Sequence, residues 1–205
     1  MAVTKLTMSG FKPSTFNKYD DFLAGNAAYD PAATWLIQRI TATGGETSIT
    51  FSGIPSTYKH LQIRWIAKDT STASDTTLGI KVQFNSDTGT NYAYHELRGD
   101  GTSATTNAAT AYTGVYVLNS NLREVSATST FGTAIVDIHD YASTSKNKTV
   151  RYMSGMDKNT GTTASRVSLG SGLWLNTNAI TSITMVADIT AFKAGTTFAL
   201  YGFTG

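Results

Sequence analysis

The chain has 205 residues, of which 40% are hydrophobic and only 15% charged, with a formal net charge of +2 and no cysteine. That length suits one domain, and the lack of cysteine excludes disulfides and thiolate chemistry. A small net charge with no basic run speaks against a nucleic-acid partner, and no apolar stretch approaches the roughly 20 residues of a membrane helix, so neither nucleic-acid binding nor membrane insertion is expected. Charged residues normally make up roughly 25% of a soluble domain. Here Thr, Ser, Asn and Gly stand in their place, a substitution that favours strands and turns over helices.

Residues 1–33 read differently from the rest. Phe11, Phe16, Tyr19, Phe22, Leu23 and Tyr29 recur at irregular spacings, punctuated by Pro13, Gly25, Asn26 and Pro31. Neither the helical nor the strand period runs far, although a short helical turn over 20–24, ended by Gly25, is expected. Disordered tails are poor in aromatics, so this segment reads as an ordered arm whose rings need a surface to cover. Those six residues are the candidates for docking or oligomer contact. The start of the chain, MAVTKLTMSGFKPSTF, lacks the apolar core of a signal peptide, and synthesis in a cytosol is expected.

From residue 34 to 205 strand follows strand. The pattern predicts strands over 34–41, 47–52, 58–68, 78–85, 91–97, 112–118, 130–137, 149–156, 166–175, 180–187 and 197–203, mostly bounded by Gly, Pro, Asn, Asp or Ser. In LQIRWIA, Leu61, Ile63 and Trp65 share one face, with Gln62, Arg64 and Ile66 on the other. LGIKVQF puts Leu78, Ile80, Val82 and Phe84 inward, with Lys81 and Gln83 outward. No amphipathic helix separates the strands, which predicts an all-β fold: a two-sheet antiparallel sandwich, jelly-roll-like, preceded by the extended arm. The Ser/Thr/Ala/Asn-rich stretches 70–77 and 102–109 read as long surface loops.

Residues that could carry chemistry are few. His60, His95 and His139 fall on separate predicted strands without zinc-ligand spacing. In VDIHDY, Asp137, His139 and Asp140 read as a solvated strand end with Val136 and Ile138 in the core. Trp65 and Trp174 sit among apolar neighbours and read as core rather than sugar platforms. Tyr92 and Tyr94 share one strand face, with His95 opposite, and are weak candidates for receptor contact. FNSDTGTNY is too short for a calcium loop and lacks its closing Glu. It reads instead as a hairpin turn, with Asn85 and Asp87 bonding nearby backbone and Gly89 at positive φ. Arg98-Gly99-Asp100-Gly101 reads as a second turn. No nucleophile elbow, phosphate loop or dinucleotide fingerprint is present, so no catalytic residue, metal or cofactor is expected.

The phrases MAVTKLTMSGFK, YDDFLAGNAAYDP, SITFSGIPSTYKHLQIR and FNSDTGTNYAYHELRGDG, with the closing ALYGF, carry a resemblance over nearly the whole chain. It resembles small virion structural proteins of tailed bacteriophages, of the tail or fibre type found in phages of marine and cyanobacterial hosts. The resemblance implies a non-enzymatic virion protein assembled in the host cytoplasm and docked through its arm onto tail, fibre adaptor, portal or capsid. It also implies a homotrimer and a host surface glycan as a further partner. A capsid decoration protein and a small glycan-degrading enzyme are the alternatives left open.

Overall fold

The structure, a computed structural model, describes residues 34–71, 79–117, 129–157, 165–188 and 190–204. The chain divides into two compact units, Met1–Ala33 and Thr34–Gly205. Phe11, Phe16, Tyr19, Phe22, Leu23 and Tyr29 all lie outside the described residues, as do the helical turn expected over 20–24 and most of the 70–77 stretch.

The described residues form twelve strands and no helix: β1 (Thr34–Thr41), β2 (Ser48–Phe51), β3 (His60–Ala67), β4 (Ile80–Phe84), β5 (Tyr92–Gly99), β6 (Ala104–Tyr112), β7 (Val115–Val117), β8 (Gly132–Ile138), β9 (Lys148–Met156), β10 (Arg166–Trp174), β11 (Ile183–Ala187) and β12 (Thr197–Phe203). They make two sheets, a long one in the order β1-β12-β3-β8-β9-β10-β5-β6 and a short one in the order β2-β11-β4-β7. Every pairing is antiparallel. The expected two-sheet sandwich is what forms.

Its connectivity is that of a jelly roll with two insertions. Setting aside the β5–β6 and β9–β10 hairpins leaves β1-β12-β3-β8 against β2-β11-β4-β7. The two orders match strand for strand, because each strand's chain neighbour occupies the same place in the other layer. That is the eight-stranded double-sheet roll. The inserted hairpins then pair onto the free edge of β8, through β8–β9 and β10–β5, and double the width of one layer alone.

Alternation builds the core. Leu61, Ile63, Trp65 and Ala67 of β3, Ala134, Val136 and Ile138 of β8, and Val150 and Tyr152 of β9 point inward. The short sheet meets them with Ile49, Phe51, Ile80, Val82, Phe84, Val115, Val117, Ile183 and Met185, all buried. Each such large side chain contributes roughly 1.5–3 kcal/mol on leaving water. β7 packs on β10 across the layers, and a Cβ at Gly172 would collide with both methyls of Val115. Glycine there lets Val115 seat directly on the opposite sheet.

Three sequence expectations are corrected. The stretch 102–109 is not a loop, because most of it is β6, whose Ala104–Tyr112 pairs with β5. Its Ala, Thr and Asn give no apolar alternation, so only the neighbouring strand makes it one. The segment after Phe84 is not a hairpin turn, because β4 and β5 belong to different sheets and the chain crosses between layers there. Gln83, expected outward, is buried, and its side-chain amide donates to the Thr113 carbonyl at 2.7 Å.

A buried cation closes one end. Lys148 is fully buried, and its Nζ donates to the carbonyls of Ser143 at 2.7 Å, Lys146 at 2.8 Å and Thr177 at 3.0 Å. It thereby ties the β8–β9 connection to the loop after β10. Burial pushes its pKa down, while the three carbonyls favour the charged form.

Gly172→Ala should lower the unfolding free energy in urea by about 1–3 kcal/mol, since Val115 has no room to retreat. Gly155→Ala is the control, because its Cβ would meet nothing nearer than the Arg166 carbonyl oxygen at 3.5 Å. It should change stability by less than about 0.5 kcal/mol.

Candidate functional site

The strand alternation that sends Trp65 and Tyr152 inward sends a second set of residues outward on the long sheet. Register places Arg64 opposite Ile135, Ile135 opposite Met153, Met153 opposite Leu169, Leu169 opposite Leu97, and Leu97 opposite Thr106. On one side of this row lie Ile66, Thr133, Gly155, Val167 and Gly99. On the other lie Gln62, Asp137, Arg151, Ser171 and His95. Ile66, Leu97, Met153, Val167 and Leu169 are each more than half exposed, at 52%, 52%, 56%, 57% and 54%. Together they present on the order of 500 Å² of largely apolar surface, the size of the largest patch on a typical soluble monomer, which is often functional.

The polar flank is internally bonded. Arg64 Nε donates to Gln62 Oε1 at 2.7 Å, and Gln62 Nε2 donates to Asp137 Oδ1 at 2.7 Å. The Arg151 guanidinium lies 3.6 Å from the Asp137 carboxylate and is 66% exposed. Between this flank and the apolar row runs a groove of about 650 Å³, lined by His95, Leu97, Asn107, Arg151, Leu169 and Ser171. The groove thus has an apolar floor with the His95 imidazole, the Arg151 guanidinium and the Asn107 amide at its margin.

Of the three receptor-contact candidates, only His95 is on that surface. Tyr92 is fully buried and Tyr94 is 6% exposed. Their shared face was read correctly, but it is the core face of β5. The Tyr92 hydroxyl accepts from the Phe84 amide at 3.0 Å and donates to the Asp87 carbonyl at 3.0 Å. The Tyr94 ring sits among Tyr112 and Tyr116, with centroids 5.5 and 5.8 Å away. Neither ring is available to a ligand.

The layer crossing after β4 explains why Tyr92 is held so firmly. Asn85 and Ser86 take φ of 50° and 58°, and the Asp87 amide donates to the Phe84 carbonyl at 2.9 Å. The left-handed residues are therefore Asn85 and Ser86, and Gly89 is not among them. Asp87 accepts from the Gly89 amide at 2.9 Å and from the Trp174 indole Nε1 at 2.8 Å. Asn85 reaches across the molecule instead: its Oδ1 accepts from the Thr181 amide and its Nδ2 donates to the Ala179 carbonyl, both at 2.8 Å. The side chains of Asn85, Asp87 and Asn91 in this apparent metal loop are all committed to structure. Asp100 does the same in the next turn, accepting from the amides of Thr102 at 3.0 Å and Ser103 at 2.9 Å, with Gly101 at φ 88°.

The fold does assemble one histidine pair that sequence spacing hides. His60 and His139 meet edge to face with centroids 5.0 Å apart. The Asp140 amide donates to His60 Nδ1 at 3.1 Å, while the Asp140 carboxylate lies 3.1 Å from Lys59 Nζ and 2.8 Å from Lys146 Nζ. These lysines hold the Asp140 pKa down at about 2, and burial together with His139 lowers that of His60. Among the described residues no group of three or more His, Asp or Glu is arranged to hold a metal. Val136 and Ile138 are core, as expected.

Sequence reading missed a buried polar patch on the inner face of the inserted hairpins. Both Glu96 carboxylate oxygens, the Tyr152 hydroxyl, Ser154 Oγ and Ser168 Oγ are buried without a hydrogen-bond partner in the protein. Register sets Ser154 opposite Ser168, and Gly170 between Tyr152 and Glu96. The Tyr152 ring lies over Gly170, where a Cβ would overlap it. Buried water satisfies oxygen clusters of this kind in globular proteins. The alternation of YAYHELR, with a Glu at the third inward position, was the available signal.

Glu46, Asp100 and Asp140 have pKa values held down at about 2, and that of Asp87 is also lowered, chiefly by Trp174. Their folded values lie below their unfolded ones, so the stability they contribute is present above about pH 4 and lost as pH falls toward about 2. Acid titration followed by circular dichroism should show that loss. Asp87→Asn should flatten it in part and quench-shift the Trp174 fluorescence. No protein-family model, no curated protein and no solved structure matches the chain.

Proposed function

We propose that this protein is a non-enzymatic structural component of a bacteriophage particle. It is surface-exposed, docked through residues 1–33, associated with tail or fibre, and turns its β-domain outward toward a host surface glycan. The observation that carries the reading is the outer face of the long sheet. Five exposed aliphatic and thioether side chains lie on β3, β9, β10 and β5, joined across β8 by the half-buried Ile135, beside a polar flank, the kind of surface that proteins use to meet proteins.

Three further features support it. Jelly rolls recur in viral capsid and lectin domains, although a fold hosts many functions and this support is one of analogy. The low charge and cysteine-free composition suit a subunit made in a cytosol and used after dilution outside it. The arm's six docking candidates could each contribute roughly 1.5–3 kcal/mol on leaving water, before the entropic cost of ordering the segment.

The reading predicts that mass spectrometry of purified particles finds the protein, and that a variant lacking residues 1–30 keeps its strand-type circular dichroism but is missing from particles. Incorporation of the truncated variant would refute docking through the arm; absence of the intact protein from particles would refute the reading itself. Purified protein incubated with host polysaccharide should release no new reducing ends, and sustained release would favour a glycan-degrading enzyme instead.

A further inference from the structure

The two sheets have four edge strands, β1, β6, β2 and β7. Three of them are blunted in the ways proteins use to prevent unwanted pairing. β2 has four residues and β7 three. β1 carries a register shift between Leu36 and Gln38 and a cation at Arg39. β6 is the exception. It has nine residues, ATTNAATAY, with no charge and no proline, and its irregularities, a register shift opposite Tyr92/Tyr94 and Ala111 at φ 53°, are confined to its end. Along Ala104–Thr110 one side of the strand pairs with β5, and the other makes no backbone hydrogen bond to any described residue. Ala104, Thr105, Thr106, Ala108 and Thr110 are exposed.

We propose that β6 is an assembly edge that pairs antiparallel with β6 of a second copy of this chain, about a two-fold axis through Asn107. Antiparallel self-pairing about a two-fold axis is isologous, so one strand supplies both halves of the contact. This axis sets Thr106 opposite the partner's Ala108, Thr105 opposite the partner's Ala109 and Ala104 opposite the partner's Thr110. No charge meets a like charge, and the small side chains bring no steric obstacle to either face. The outer row of Ile135, Met153, Leu169 and Leu97 ends at Thr106. Pairing would therefore continue the apolar face of one copy into that of the next. The outcome is a two-fold dimer, distinct from the trimer that the family resemblance implies. It does not rest on a virion role, because it is read in solution without a particle.

The test uses the full-length chain in a sedimentation-velocity concentration series. The wild type should approach twice the 21.9 kDa chain mass. Thr106→Lys with Ala108→Lys places like charges across the axis and should weaken association by at least about tenfold. Unchanged circular dichroism would show that this variant is folded. Mixing it with Thr106→Glu/Ala108→Glu should restore the dimer, which neither variant forms alone. Since the chain has no cysteine, mixing Thr106→Cys with Ala108→Cys under oxidation should give a covalent dimer and so read the register directly. A monomeric wild type, an assembly of three chains, or a dimer indifferent to the lysine pair would each overturn the proposal.

Discussion

A four-stranded layer cannot cover an eight-stranded one, and most of what distinguishes this molecule follows from that mismatch. The β1-β12-β3-β8 half of the long sheet has a partner in the short sheet and a conventional aliphatic core. Among the described residues the β9-β10-β5-β6 half is met chiefly by β7, with Phe84 of β4 against Trp174 and Tyr92. Contact is forced through Gly172, where Val115 reaches the opposite sheet. Beyond that contact Tyr152 lies over Gly170, and Tyr94 and Tyr112 of the extension cluster with Tyr116 of β7. The polar residues Glu96, Ser154 and Ser168 fall within the same territory.

The crossing at Asn85–Asp87 is the counterpart of that extension at the other end of β5. A chain that leaves the short sheet at Phe84 must enter the long one at Tyr92, and the turn has to be fixed for the tyrosine to enter the core. Asp87 fixes it from both sides, through the Trp174 indole and the Gly89 amide, while the Tyr92 hydroxyl bridges its carbonyl and the Phe84 amide. Phe84, Tyr92 and Trp174 then stack within 5.5 to 6.3 Å of one another. The groups that look like a metal site in the sequence are the hydrogen-bonding frame of an aromatic corner.

The strands most easily read from the sequence were those whose two faces differ in polarity. LQIRWIA alternates cleanly and appears as β3 with Leu61, Ile63 and Trp65 inward, and β1 and β12 have the expected bounds. β6 was illegible because ATTNAATAY carries no polarity contrast, its register being imposed by β5. Tyr92 and Tyr94 show a different limit: spacing says which residues share a face, but not whether that face meets solvent or a second sheet. The His60–His139 contact was beyond reach for the same reason. The residues come from β3 and from the connection after β8, brought together only by the pairing of those strands.

By itself, the sequence determined the class of the protein: strand-rich, helix-free among the described residues, cysteine-free, weakly charged, and built as two antiparallel layers. Those properties follow from local alternation and turn chemistry, which each segment carries independently of the others. Only the tertiary structure decided which strands became neighbours, that two hairpins widened one layer and not the other, and that the apolar residues Leu97, Met153, Val167 and Leu169 gathered on one open face. It also decided that β6, among the described residues, lies at an edge of the long sheet with β5 as its strand neighbour. Neighbour relations in a sheet are set by burial across hundreds of residues of chain at once, and no single segment records them.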